Sequence, residues 1–157
     1  MLKKNKKSAA KKIGGRYAIV ASKYNGRYVN SMLRAAKAEL TGAGAEAIEV
    51  VRVPGAYEIP VVVGKLARRT EKPLSAIICL GVIMRGATTH AQHIGDAVTL
   101  SLAEAQLRYG VPIVHEVLLF EDQGQAEVRC MDKDFNRGNE AAQTAIEMAR
   151  VMKSVKG

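Results

Sequence analysis

The sequence predicts an α/β protein: a three-layer α/β/α sandwich around a four-stranded parallel sheet. Three observations carry that expectation. Four short runs of strand length, Arg16–Ser22, Ala47–Val53, Ser75–Leu80 and Val111–Leu119, are dominated by apolar residues, as strands covered on both faces are. Each is followed by a longer stretch with the apolar spacing of a helix. Alternating strands and helices pair in parallel, because each crossover returns the chain to the same end of the sheet. At 157 residues the chain is one domain, long enough to bury its own core.

Along the chain, the first twelve residues stand apart. Lys3, Lys4, Lys6, Lys7, Lys11 and Lys12 supply six of the nine net positive charges, leaving +3 for residues 13–157. Residues 1–12 read as a disordered basic tail and residues 13–157 as a single domain. No aromatic is interleaved among those lysines for base stacking, so a solvated extension is favoured over a nucleic-acid arm. Strand one ends at Lys23-Tyr24-Asn25-Gly26, and the helix from about Tyr28 to Leu40 is stopped by Thr41-Gly42-Ala43-Gly44. Strand two alternates as an edge strand does, and Pro54-Gly55 breaks it. A helix then runs from about Tyr57 to Arg69, with Pro60 tolerated in its first turn.

Strand three leads through a Gly-containing turn, Gly81 to Thr89, into a helix reaching Tyr109. Its expected inward stripe is Ile94, Ala97, Val98, Leu102, Ala105 and Leu107, and Thr89 with Gln92 has capping-box spacing. After strand four come a loop, a short helix to about Met131, and a last helix from about Arg137 to Lys153. The last helix would bury Ala141, Ala142, Ala145, Ile146, Met148, Ala149 and Met152.

In folds of this kind ligands sit beyond the carboxyl ends of the strands. The segments there are Lys23-Tyr24-Asn25, Pro54 to Glu58, Gly81 to His90 and the region after His115. The third segment combines the N–H groups of a helix start with a cation, Arg85, and a proton carrier, His90: an anion site beside a base. Cys79 and Cys130 form no disulfide or metal pattern, nothing resembles a signal peptide, and no apolar run approaches bilayer length. The expectation is a cytoplasmic protein without a membrane partner. Singly, each residue has a plainer reading. Asn25 would cap the first helix, Glu58 would face a helix dipole, His115 would be a hydrogen-bonded core histidine, and Tyr24 would be packing. His90 and His93 without a third ligand make no metal site.

Jointly, the motifs resemble the 6,7-dimethyl-8-ribityllumazine synthase family. The match runs over Tyr24-Asn25, Val53-Pro54-Gly55-Ala56-Tyr57-Glu58-Ile59-Pro60, Leu80 through His90, Arg129, and Asn136-Arg137-Gly138-Asn139-Glu140-Ala141-Ala142, in order, within about residues 16–153. The resemblance implies a flavodoxin-like fold and an enzyme without cofactor or metal. It implies condensation of 5-amino-6-(D-ribitylamino)uracil with 3,4-dihydroxy-2-butanone 4-phosphate, the penultimate step of riboflavin synthesis. By the same resemblance Tyr24 stacks on the pyrimidine, Asn25, Ala56, Tyr57 and Glu58 hold the ribityl chain and its neighbours, and Val82, Ile83 and Met84 contact the ring edge. Gly86, Ala87 and Thr88 with Arg129 bind phosphate, His90 moves protons, and His115 and Arg137 complete the site. A homo-oligomer is implied, either a pentamer or a shell of twelve pentamers, with riboflavin synthase as a candidate partner. The uninterrupted stretch from Arg129 to Arg137 favours the shell, and bulky Phe135 in place of a Gly-rich turn favours the pentamer.

Five further positions, in three places, depart from the family pattern. Ala91-Gln92-His93 replaces aromatic-acid-aromatic after the catalytic His, His115 replaces a common Phe, and Arg137 replaces a usual Lys, which changes donor geometry. Two other functions compete: a flavin or nucleotide carrier on the same fold, and a polyanion binder acting through the tail. The loop after strand one lacks the phosphate-cradling Gly/Ser/Thr run that a carrier would need.

Overall fold

A computed structural model of the chain describes residue 4 and residues 12–157. The expected basic tail otherwise lies outside the described residues; Lys4 Nζ is 3.3 Å from Asp134. The element order is β1 (Arg16–Ser22), α1 (Gly26–Gly42), β2 (Ala47–Val53), a 3-10 turn (Ala56–Glu58), α2 (Ile59–Ala67), β3 (Ala76–Met84), α3 (His90–Tyr109), β4 (Ile113–Phe120), α4 (Gln123–Met131) and α5 (Arg137–Ser154). All four strands are parallel, in the order β2-β1-β3-β4. Strand order therefore reverses between β1 and β3, and a crevice opens beyond their carboxyl ends.

Strand side chains alternate between two cores. Ile19, Ile78 and Leu80 face one side with Met32 and Leu40 of α1 and Ala141, Ala145 and Ile146 of α5. Val20, Ile77 and Cys79 face the other with Ile59 and Val63 of α2 and Val98 and Leu102 of α3. Helices on both faces explain why β1 and β3 are continuous apolar runs. β2 lies at the edge, as its alternation suggested. The α1–α5 contact is close enough that a Cβ on Gly138 would lie 2.1 Å from the Met32 carbonyl oxygen.

Several sequence expectations change. β3 does not stop at Leu80: Gly81 to Met84 continue it, paired with Val117 to Phe120, and the turn begins only at Arg85. The second helix opens as a 3-10 turn, with Pro60 in the first turn of α2 as expected. Leu107 is 85 % exposed, because two residues of helix carry it about 200° around the axis from buried Ala105. Met152 is also exposed, one turn past Ala149, the last buried residue of α5.

Candidate functional site

The crevice at the β1–β3 reversal holds a cavity of about 440 Å³. Its walls include Tyr24, Asn25, Gly55, Ala56, Tyr57, Glu58, Val82, Ile83, Met84, Gly86, Thr88 and His90, with Ala91 and Ile94. Twelve positions that the sequence spreads over three loops and a strand end thus face one space.

The loops are held from beneath. Lys23 N–H donates to the Val53 carbonyl at 2.7 Å and Tyr24 N–H to the Pro54 carbonyl at 2.9 Å, joining the loops after β1 and β2. Arg52 braces the same junction: Nε donates to Ala21 O (3.2 Å), Nη2 to Ser22 O (2.9 Å) and Nη1 to Asn30 Oδ1 (2.8 Å). Sequence reading missed Arg52; its only signal is a long cation inside an apolar edge strand. Asn25 does not cap α1 through its side chain. It sits in the left-handed region (φ 55°, ψ 37°) and donates from Nδ2 to the Val82 carbonyl at 2.8 Å, spanning the crevice. Glu58 Oε2 accepts the Gly55 N–H at 2.9 Å and closes the next loop. The rings of Tyr24 and Tyr57 stand open at the mouth.

β3 supplies the floor. Its pairing with β1 ends at Leu80, while its pairing with β4 runs on to Met84. Arg85 N–H points to the Phe120 carbonyl on β4 at 2.9 Å. Backbone polar groups alternate sides along a strand, so those of Val82 and Met84 face the open side. An overhanging strand edge offers donors and acceptors in a plane, as a flat heterocycle requires.

The turn from Arg85 to Thr89 and the first residue of α3 close the cavity. The capping box does not form: Thr89, at φ −76° and ψ 2°, is not in the extended conformation that caps require. Its Oγ1 instead lies 3.3 Å from His93 Nε2, and Gln92 donates to Asp96 at 2.8 Å. Thr88 Oγ1 accepts the His90 N–H at 3.4 Å. Arg85 is spent on Glu121, at 2.8 Å. The start of α3 keeps an anion-attracting dipole beside exposed His90. Ala87 is not among the cavity's lining residues.

Three expected site residues lie elsewhere on the same chain. Arg129 borders a separate depression of about 600 Å³ with Leu119, Phe120, Gln125 and Val128. His115 is half-buried against α3, where Thr99 Oγ1 lies 2.8 Å from Nε2 and the Val117 N–H donates to Nδ1 at 3.1 Å. Thr99 Oγ1 also donates to the Gly95 carbonyl, so a consistent chain places the ring proton on Nε2. Burial holds the His115 imidazole below its ordinary pKa. Arg137 forks onto Glu116, with Nε 3.0 Å from Oε2 and Nη2 2.8 Å from Oε1, and its Nη1 meets Glu140. Burial pushes the Glu116 carboxyl upward, against the pull of Arg137.

Among the described residues no group of three or more His, Cys, Asp or Glu is placed to hold a metal, and no helix is long and apolar enough to cross a membrane. Cys79 and Cys130 are buried thiols, the latter pushed up to about 12 by burial. A second depression, about 620 Å³ at the opposite end of the strands, is walled by solvated charges such as Lys65, Arg68 and Lys72, with Arg69 forked onto Glu49. It lacks the apolar wall with a few convergent polar groups that marks a small-molecule site.

The profile of a family described as 6,7-dimethyl-8-ribityllumazine synthase matches residues 14–153. A protein of that name from Stenotrophomonas maltophilia (strain R551-3) is 39% identical over 142 residues, covering 89% of this chain and 90% of its own. Its counterpart in Xanthomonas oryzae pv. oryzae (strain PXO99A) is 39% identical over 139 residues, covering 87% and 89%. A third, from Xanthomonas euvesicatoria pv. vesicatoria (strain 85-10), is 38% identical over the same length and coverage.

Proposed function

This chain belongs to the 6,7-dimethyl-8-ribityllumazine synthase family, enzymes of riboflavin biosynthesis, and from that premise we propose that it condenses 5-amino-6-(D-ribitylamino)uracil with 3,4-dihydroxy-2-butanone 4-phosphate in the cytoplasm. Phosphate and water leave, in the penultimate step of the route. The observation that carries this reading is the cavity at the strand-order reversal, where the overhanging edge of β3, two open tyrosine rings and the start of α3 meet.

The pyrimidine lies along Val82–Met84, whose backbone groups read its edge, and Tyr24 covers its face. Asn25, Ala56, Tyr57 and Glu58 line the path of the ribityl chain. Phosphate sits at the first turn of α3 against Gly86, Ala87 and Thr88, where the helix dipole favours an anion. The amine of the pyrimidine attacks the ketone carbonyl. His90 hands on the protons of Schiff-base formation and phosphate loss, as an imidazole within reach of the reacting groups can. Arg129 is the phosphate's charge-assisted partner. On its own chain it borders a different depression from the one His90 lines, so in this reading Arg129 and His115 come from a neighbouring subunit.

Incubating the purified protein with both substrates and following lumazine fluorescence tests the reading. Product formation at a rate proportional to protein supports it. Tight retention of the pyrimidine without turnover would make the protein a carrier instead.

A further inference from the structure

Among the described residues, Glu116 is the one acidic or basic side chain counted as buried, 5% exposed. A carboxylate taken that far from water needs a partner that satisfies both oxygens. Arg137 is that partner, and only a guanidinium matches the two oxygens as a fork. Its remaining terminal nitrogen is engaged by Glu140 in the first turn of α5. Three N–H directions of Arg137 therefore end on two carboxylates, and the trio carries a net negative charge. A group so placed is poorly suited to grip a phosphate.

The same trio is linked to Arg129 by a short path. Asn136, next to Arg137, caps α5 by accepting the Gly138 N–H at 2.8 Å. Its Nδ2 donates to the Cys130 carbonyl at 2.7 Å, and to Ser31 Oγ at 3.3 Å. Cys130 directly follows Arg129 in the last turn of α4. Glu116 also feels the charge of Arg129. The fork on β4 thus fixes the start of α5, whose cap fixes the end of α4.

We propose that Glu116 and Arg137 are positioning residues: Arg137 does not bind the anionic substrate, but with Glu116 it holds the end of α4 so that Arg129 can. This deepens the reading given above and rests on it. It also gives the Arg at position 137 a reason, since a lysine cannot fork.

The test is the Kd for inorganic phosphate, titrated calorimetrically into the assembled protein at constant ionic strength. The variants are Glu116→Gln, Arg137→Lys and Arg129→Ala, with both doubles on Arg129→Ala. If Arg137 were itself a ligand, Glu116→Gln would free a cation and leave binding unchanged or tighter. Positioning predicts the reverse: Glu116→Gln and Arg137→Lys each weaken binding by about 5-fold, a typical coupling between linked side chains. On Arg129→Ala neither should cause a further loss. Should Glu116→Gln fail to fold, Arg137→Lys keeps a counter-charge at Glu116 and carries the test alone. Phosphate binding as tight as the parent's in Glu116→Gln, or a further loss when Arg137→Lys is added to Arg129→Ala, overturns the inference. Lumazine formation by the parent is assayed in parallel. A parent that makes no lumazine but shows this coupling defeats the assigned reaction and leaves the positioning intact.

Discussion

At the residue scale, His90 sits where a proton carrier is most useful, exposed at the first position of α3 and lining the cavity. Gln92, two positions on, is occupied by Asp96 and Arg85, so no carboxylate of the next turn is aimed at the imidazole. With orientation of two reactants supplying much of the acceleration, His90→Ala should lower kcat by about 10²-fold, the low end for general acid-base catalysis. Steady-state kinetics check this, and an unchanged kcat in His90→Ala would assign the proton transfers to another group. His115 makes a pH prediction. Because burial holds its folded pKa below the unfolded value of about 6.5, the unfolded chain takes up the proton first as pH falls. Stability is therefore full above about pH 6.5 and is lost as pH drops toward the folded pKa, where the ring must also give up the Val117 N–H. In His115→Phe the drop in urea midpoint between pH 7.5 and pH 5.5 should be smaller than in the parent. An equal drop would assign the titration elsewhere.

At the scale of elements, Gly138 decides how closely α5 approaches α1. The atoms that a Cβ would meet there, 2.1 to 2.7 Å away, are Met32 backbone, which cannot swing aside as a side chain can. Gly138→Ala should cost about 3 kcal/mol or more in urea unfolding, the upper range for overpacking. Gly64, on α2 with nothing within 4 Å of its Cβ position, is the control. Gly64→Ala should gain up to about 1 kcal/mol from helix propensity. A Gly138→Ala variant as stable as the parent would mean that the two helices are farther apart. Such contacts mark where sequence reading stopped. Strands one and two were legible to the residue, since Arg16–Ser22 and Ala47–Val53 are bounded by turn residues on both sides. In the sequence Gly81 reads as a turn, which ends the third strand at Leu80 rather than Met84. In the fold Gly81 is in the strand because Val117 Cγ1 and Ile59 Cδ1 lie 3.0 and 3.3 Å from its Cβ position. The cavity residues were legible because short loops after parallel strands must gather at one rim. The Asn25–Val82 bond, the Arg52 brace and the Glu116–Arg137 fork were not: each joins residues 21 to 57 positions apart, and no local pattern names such a partner.

For the whole molecule, the issue is whether one chain makes a complete site. The 440 Å³ cavity has rings, a strand edge and a helix start, but Arg129 borders another depression and His115 is turned toward Thr99. A phosphate held at the start of α3 needs a cation, and Arg85, the nearest in sequence, is already paired with Glu121. The outer side of α3 meanwhile exposes Leu100 (72%) and Leu107 (85%), seven positions apart and so on one stripe. Isolated exposed leucines need no explanation, but two in line on the helix that carries His90 suit a subunit contact. We expect an obligate assembly in which one chain's Arg129 meets the phosphate held by its neighbour. Light scattering should give five or sixty times the 16.9 kDa chain mass, a pentamer or a closed shell of twelve. The double variant Leu100→Glu, Leu107→Glu should bring the mass down to one chain and abolish turnover. Circular dichroism should stay unchanged, because both side chains already face solvent within the protomer. A monomeric variant retaining the parent's kcat/KM would show that a single chain completes the site, and would remove both the shared phosphate and the need for assembly.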